Sequence, residues 1–316
     1  MKKMRLGNSP LQVSRIALGC MRLSDERSQA LATVRAALEQ GINFFDHADV
    51  YGRGNREQVF SAIWEESPGL RDQILLQSKC GIRPAGDSGS RAPTRYDFSY
   101  GHIVQSVEGS LRRLKTDHLD VLLLHRPDAL VEPEEVAQAF DELHEAGKVR
   151  FFGVSNHTAA QIQLLQTRVK QPLIANQLEL SAVHSQLISD GILFNRDDMG
   201  VMSRSEGTLE FCRMHDITVQ AWSPLARGVL SGSPAASPEA RMTEAAALVA
   251  QLAAEKGVSP EAILIAWLLR HPAHIQPVIG TTNPARIAAA CQADEVELSR
   301  EEWYSLFEAG RGARVP

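Results

Sequence analysis

The sequence predicts an α/β fold of the (β/α)8 TIM barrel class, with an N-terminal β-hairpin and long active-face loops. Three observations carry that expectation. Eight short β-branched or apolar runs recur along the chain, an amphipathic helical pattern follows each one, and the fingerprint of the rival doubly wound sheet is missing. The strand candidates are Arg15–Leu18, Ile42–Phe45, Ile74–Ser78, Leu119–Leu124, Phe151–Val154, Leu173–Asn176, Ile217–Ala221 and Ile275–Ile279. The helical patterns are Ser28–Gln40, Arg56–Glu65, His102–Leu114, Pro133–Ala146, Ala159–Gln166, Leu209–His215, Pro260–Arg270 and Pro284–Ala290. Ser259-Pro260 and Asn283-Pro284 read as an N-cap followed by proline at the first helical position, and Gly41 and Gly147 as C-terminal stops. The glycine-rich stretch Gly52-Arg53-Gly54-Asn55-Arg56-Glu57 ends in Glu and follows no strand directly, so it is no dinucleotide turn.

A chain of 316 residues fits two domains of about 150 residues or one large barrel. Eight strand-helix units favour a single barrel over 1–316. The surplus length falls to a hairpin over Met4–Ser14 that plugs the barrel bottom, to loops Ile82–Ser99, Ser185–Glu206 and Val229–Met242, and to a C-terminal helix around Ser299–Glu308. Each of those loops follows a strand, so all three belong to the C-terminal face, where barrels build their sites. With 44% apolar and 22% charged residues the composition is that of a globular protein, and a net charge of −5 argues against nucleic acid or an anionic membrane. No signal or membrane-spanning run is present, which points to the cytoplasm. Cys20, Cys80, Cys212 and Cys291 form no CxxC pair and are expected as reduced thiols. The helix surfaces offer no clear apolar interface; a monomer is the favoured state.

Ionisable residues stand where the strands end. Strand two ends at Asp46 with Tyr51 shortly after, strand three at Lys79, and strand four at His125. Neighbouring barrel strands let these four side chains converge. A Lys79 ammonium lowers the pKa of a nearby phenol, Asp46 keeps that ammonium charged and aimed, and His125 can hydrogen-bond a substrate oxygen. Such a group fits carbonyl reduction, with Tyr51 protonating the developing alkoxide.

The motifs Asp46-His47-Ala48-Asp49-Val50-Tyr51-Gly52, Ser78-Lys79-Cys80-Gly81, Leu123-Leu124-His125-Arg126-Pro127-Asp128 and Gly153-Val154-Ser155-Asn156 resemble the aldo-keto reductase superfamily, in its YdhF-like bacterial branch. The resemblance covers nearly the whole chain and implies a (β/α)8 barrel. It also implies a catalytic tetrad of Asp46, Tyr51, Lys79 and His125, and an extended NADPH across the barrel top. By the same resemblance Ser155, Asn156 and Gln177 hold the nicotinamide carboxamide, Trp222 stacks on its ring, and Gly19, Met21 and Asp46 touch the cofactor.

Barrels often bind phosphate with the loops after strands seven and eight. Here Ser223, Leu225, Ala226, Arg227 and Gly228 offer a hydroxyl, backbone N–H groups and a cation for a pyrophosphate. Ile279, Gly280, Thr281, Asn283 and Arg286 frame a helix N-terminus suited to a 2′-phosphate. Gly280 stands where many relatives have Lys, and Ala289-Ala290 where Glu-Asn is common, so a preference for NADPH rests on Arg286. The expected substrate is a small carbonyl compound, with His47, Asp49, Tyr51, His125 and Arg126, joined by Tyr100, as its polar surroundings. Two other readings remain: an NADPH-binding regulatory protein with little turnover, and a metal-dependent hydrolase using Asp46, His47, Asp49 and His125. His271 and His274 have ligand-like spacing, but Pro272 between them favours a turn, and Cys20 and Cys80 read as packing residues.

Overall fold

The computed structural model describes residues 1–87, 89, 91–193, 205–231 and 240–316. Its first two strands, β1 (Lys3–Arg5) and β2 (Gln12–Ser14), pair antiparallel as the expected hairpin. Next come β3 (Ala17–Gly19), α1 (Arg27–Glu39), β4 (Phe44–Asp46), α2 (Asn55–Phe60), α3 (Ile63–Glu66), β5 (Leu75–Cys80), and a two-strand flap, β6 (Ile82–Arg83) and β7 (Arg95–Tyr96). The middle of the chain forms α4 (Tyr100–Leu114), β8 (Leu119–Leu124), α5 (Pro133–Glu145), β9 (Val149–Ser155), α6 (Ala159–Gln166), β10 (Leu173–Glu179), α7 (Gln186–Ile192), α8 (Thr208–Met214) and β11 (Thr218–Trp222). Last are α9 (Ala240–Lys256), α10 (Pro260–Leu269), β12 (Gln276–Ile279), α11 (Pro284–Cys291) and α12 (Arg300–Arg311). Strands β3, β4, β5, β8, β9, β10, β11 and β12 pair parallel in chain order, and β12 closes on β3. This is the (β/α)8 barrel that the alternation predicts.

Side chains alternate between two cores, because successive strand residues point to opposite faces. Phe44, Val121, Leu123, Ala17 and Val278 fill the barrel interior together with Leu6 and Val13 of the hairpin, which therefore plugs the barrel. Phe45, Leu122, Leu124 and Phe152 face outward to the helices. The same parity sends Asp46, Gln77 and Lys79 inward above the plug. The Asn283 carboxamide and the Ser259 hydroxyl cap their helices as expected. Trp267 and Trp303 stack at 5.2 Å and each donates its indole N–H to the other's carbonyl, tying α12 to α10.

The structure corrects three expectations. The pattern over 56–65 splits into α2 and α3, where the Ser61 hydroxyl bonds the Gln58 carbonyl and competes with the helix ladder. The connection over 185–206 contains α7, while 194–204 lie outside the described residues. Most of the segment over 229–242, including Ser237-Pro238, also lies outside them, but α9 begins at Ala240 and buries Ala245, Val249, Leu252 and Ala253. That alanine-rich helix precedes α10 with no strand between them, so a strict one-helix-per-strand count leaves it no place.

At Gly7 the hairpin meets the barrel wall. Its backbone sits at φ +52, its N–H donates to Thr218 Oγ1 at 2.7 Å, and an added Cβ would lie 2.1 Å from the Ile174 carbonyl oxygen. Gly7→Ala should therefore lower unfolding stability by about 2–4 kcal/mol, seen as a lower midpoint in urea. An unchanged midpoint would separate the plug from barrel stability.

Candidate active site

Asp46, at the inward end of β4, is level with Gln77 on β5, and Lys79 lies one inward position further along. The Lys79 ammonium is fully buried. It donates to the Asp46 carboxylate at 2.7 Å, to the His47 carbonyl at 2.9 Å and to the Tyr51 hydroxyl at 3.2 Å. Tyr51 reaches it from a short 3₁₀ turn in which Gly52 and Arg53 adopt left-handed φ of 56° and 55°. The His125 ring, just beyond β8, meets the Tyr51 ring edge-on at 5.8 Å. The structure thus brings Asp46, Tyr51, Lys79 and His125 together.

The charges of this group are set by burial and by each other. Burial opposes the Lys79 ammonium, but the Asp46 carboxylate and the Tyr51 oxygen outweigh it and raise its pKa. Burial pushes the Tyr51 phenol above its ordinary value, and the nearby ammonium only partly offsets this. Lys79 thus lowers the phenol as expected, but desolvation is larger and the net shift is upward. Burial, then Lys79 and Arg126, bring His125 down to about 2, so its imidazole is neutral.

Above the tetrad opens a cavity of about 570 Å³. Asp46, Tyr51, His125 and Arg126 line its floor and one side, with Ser155, Asn156, Gln177 and Trp222 beside them. Gly19 and Met21, then Ser223, Leu225, Arg227 and Gly228, then Ile279, Gly280, Thr281, Asn283 and Arg286 complete the walls. Lys79 and Ala226 are not among the lining residues; Lys79 is sealed beneath Asp46 and Tyr51. Asn156, Ser223, Ala226 and Arg227 all hold left-handed backbone, a strained conformation concentrated at this rim.

Asn156 is a junction. Its amide donates to the His125 carbonyl and to Ser155 Oγ, while its oxygen accepts from the Trp222 indole at 3.1 Å. Asn283 spends its oxygen on the N–H groups of Ala285 and Arg286, and Arg286 Nε lies 3.4 Å from Glu261. A second pocket of about 350 Å³ adjoins the main cavity through the shared walls Arg126, Asn156 and Trp222. Sequence reading missed Arg22, Pro224, Val278 and Thr282 on the cavity wall, and Gln77 beneath it. Strand parity counted back from Lys79 would have found Gln77.

Two expected substrate residues lie elsewhere. His47 follows inward-facing Asp46, so parity turns it outward, where its buried ring packs edge-on to Phe60 at 4.6 Å. Asp49 faces Ser106, Glu57 and Arg113 on α4 and α2, and burial followed by Glu57 raises it to about 7. Asp46 ends β4 facing inward while His47, just past the strand, packs outward against Phe60, which separates the set proposed for a metal-dependent hydrolase. Tyr100 is also outside the cavity, donating its hydroxyl to Glu142. All four cysteines are free and buried, and burial pushes the Cys20 and Cys80 thiols up. His271 accepts from the Ala273 N–H within the turn after α10.

The aldo/keto reductase family model matches residues 15–310. A 6-dehydroglucose reductase of Agrobacterium fabrum is 37% identical over 96% of this chain and 97% of its own length. Oxidoreductase YdhF of Escherichia coli is 36% identical over 96% of each chain. Among solved structures, the holo form of aldo-keto reductase AKR11C1 from Bacillus halodurans has a TM-score of 0.78 at 26% identity, covering 99% of this chain and 98% of that one.

His47 also generates a pH prediction. Its pKa falls to about 3 through burial and then Lys79. Between that value and the ordinary value of about 6.5 the unfolded chain binds the extra proton, so this residue subtracts about 1.4 kcal/mol per pH unit of acidification. Urea midpoints at successive pH values should fall less steeply toward acid in His47→Leu than in the parent. Parallel slopes would refute the assignment.

Proposed function

The chain belongs to the aldo/keto reductase family and is an oxidoreductase, and from that premise we propose that it reduces an aldehyde or ketone to an alcohol with NADPH. One observation carries the reading: a neutral phenol, Tyr51, borders the cavity while hydrogen-bonded to a buried Lys79 ammonium that Asp46 holds. In this proposal residues 1–316 form one catalytic barrel domain.

When bound, the nicotinamide supplies the hydride. The chain's own residues supply the rest. The raised pKa keeps the proton on the Tyr51 oxygen at neutral pH, ready for the alkoxide that forms at the carbonyl oxygen. The phenolate left behind is stabilised by Lys79, whose charge interacts more strongly with phenolate than with phenol. Neutral His125 orients the carbonyl oxygen. Trp222 gives the ring a flat partner, and Ser155, Asn156 and Gln177 offer polar groups for its carboxamide, although Asn156 must share groups already bonded within the protein.

The donor set also fits the phosphates. Arg227, the Ser223 hydroxyl and the backbone of the left-handed loop are available to a pyrophosphate, with Arg22 across the cavity. Arg286 is the candidate for the 2′-phosphate, and Glu261 is its competing anion. For the substrate, Arg126 spans both cavities and suits a polar carbonyl compound. Relatives named 6-dehydroglucose reductase make an oxidised sugar the first one to test.

Tyr51→Phe should cut single-turnover hydride transfer by about 100-fold or more. An unchanged rate would dismiss Tyr51 as the proton donor. Arg286→Ala should weaken NADPH binding by about tenfold while leaving NADH nearly untouched, since it removes one charge-assisted contact. Equal losses for both cofactors would reject the 2′-phosphate assignment; titration of tryptophan fluorescence measures both.

A further inference from the structure

Between the apolar plug and the site lies a layer of buried amides. Gln77, Gln177, Gln220 and Gln276 are each 3% exposed or less, and they come from four different strands. Gln220 is level with Gln276 on one side and with Gln177 on the other, and Gln77 is level with Asp46. Burying four primary amides is unfavourable unless their donors and acceptors match.

The bonds among Gln77, Gln220 and Gln276 all run toward Ser14. Gln276 Nε2 donates to the Ser14 carbonyl at 2.8 Å, and its Oε1 accepts from Gln220 Nε2 at 2.9 Å. Gln220 Oε1 accepts from Gln77 Nε2 at 2.9 Å and from Gln177 Nε2 at 3.2 Å. Gln77 Nε2 spends its other proton on Asp46 Oδ1 at 2.6 Å. Amide orientations follow from their partners, and here the far partner is a backbone carbonyl, which can only accept. It fixes Gln276, Gln276 fixes Gln220, and Gln220 presents an oxygen to Gln77. Turning the Gln77 amide over would set its oxygen against two other oxygens. The observed orientation instead leaves Gln77 Oε1 buried with no partner among the described residues.

We infer that Gln77 is a positioning residue for the proton donor: the ladder from Ser14 locks its N–H onto Asp46, so that Asp46 can hold Lys79 within reach of Tyr51. The inference rests on the Tyr51 reading above for its catalytic consequence alone. Both donors to Asp46 come from β5, and they divide its negative charge between them. With Gln77 gone, the carboxylate draws more on Lys79, and the ammonium is less available to the Tyr51 oxygen.

The test is a double-mutant cycle between Gln77→Leu and Gln220→Met, read in two ways. A near-UV difference titration of phenolate, with Tyr51→Phe as the blank among the four tyrosines, gives the Tyr51 titration without turnover. Single-turnover reduction gives the catalytic consequence. Gln77→Leu should move the Tyr51 titration to higher pH and slow hydride transfer by about tenfold, the effect of losing one hydrogen bond to a charged group. Gln220→Met, which does not touch Asp46, should move both in the same direction by less. The double variant should match Gln77→Leu, because both act through one amide.

Additive effects in the cycle, or a Tyr51 titration unchanged in folded Gln77→Leu, would overturn the inference. Should Gln77→Leu fail to fold, the titration of Gln220→Met decides: a shift supports the ladder and no shift overturns it. If Tyr51→Phe retains full activity, the functional reading fails separately, while the titration still decides the ladder.

Discussion

The site is organised around one constraint, a lysine ammonium placed where no water reaches it. Burying a charge in an apolar surround is costly, and a buried ion pair contributes little net stability even when well made. The Lys79–Asp46 pair therefore stabilises the fold weakly. What it provides is a fixed location for a positive charge. The parallel barrel supplies that location, because adjacent strands hold Asp46 level with Gln77 and put Lys79 one inward step higher. Tyr51 then approaches from a strained turn, and the plug of Leu6 and Val13 closes the opposite end.

Much of this was legible in the sequence, because a barrel repeats a simple rule. Runs such as Leu119–Leu124 and Leu173–Asn176 mark strands through composition alone, and the polar residue at each strand's end marks the active face. The resemblance then pointed to residues that do share one cavity, from Gly19 to Arg286. His47 and Asp49 are near Asp46 in the chain but do not line the cavity with it. Period-two alternation had already sent His47 to the other face. The second helix between β11 and β12 was hidden for a different reason: its alanine-rich stretch has strong helix propensity but no strand to announce it.

The glutamine layer was illegible for a subtler reason. Gln77, Gln220 and Gln276 each interrupt an apolar run, and a lone glutamine in a strand usually reads as a surface position. Only the closed barrel shows that they face one another across its interior. A residue's polarity describes what it could bond to, while its meaning here depends on three strands that are distant in sequence.

The rise in the Tyr51 pKa bears on the acid role proposed for it. A phenol tuned downward would lose its proton more readily in the resting state, and Lys79 would then stabilise the resting site as well as the reacting one. In the observed arrangement desolvation keeps the phenol neutral, and the ammonium beside it meets a dipole before reaction and an anion after proton transfer. Electrostatic interaction with an anion is far stronger than with a neutral hydroxyl in a buried setting. On the proposed reading, most of what Lys79 contributes is thus realised as the proton leaves, which is the condition for an interaction to accelerate a step and not merely tighten binding.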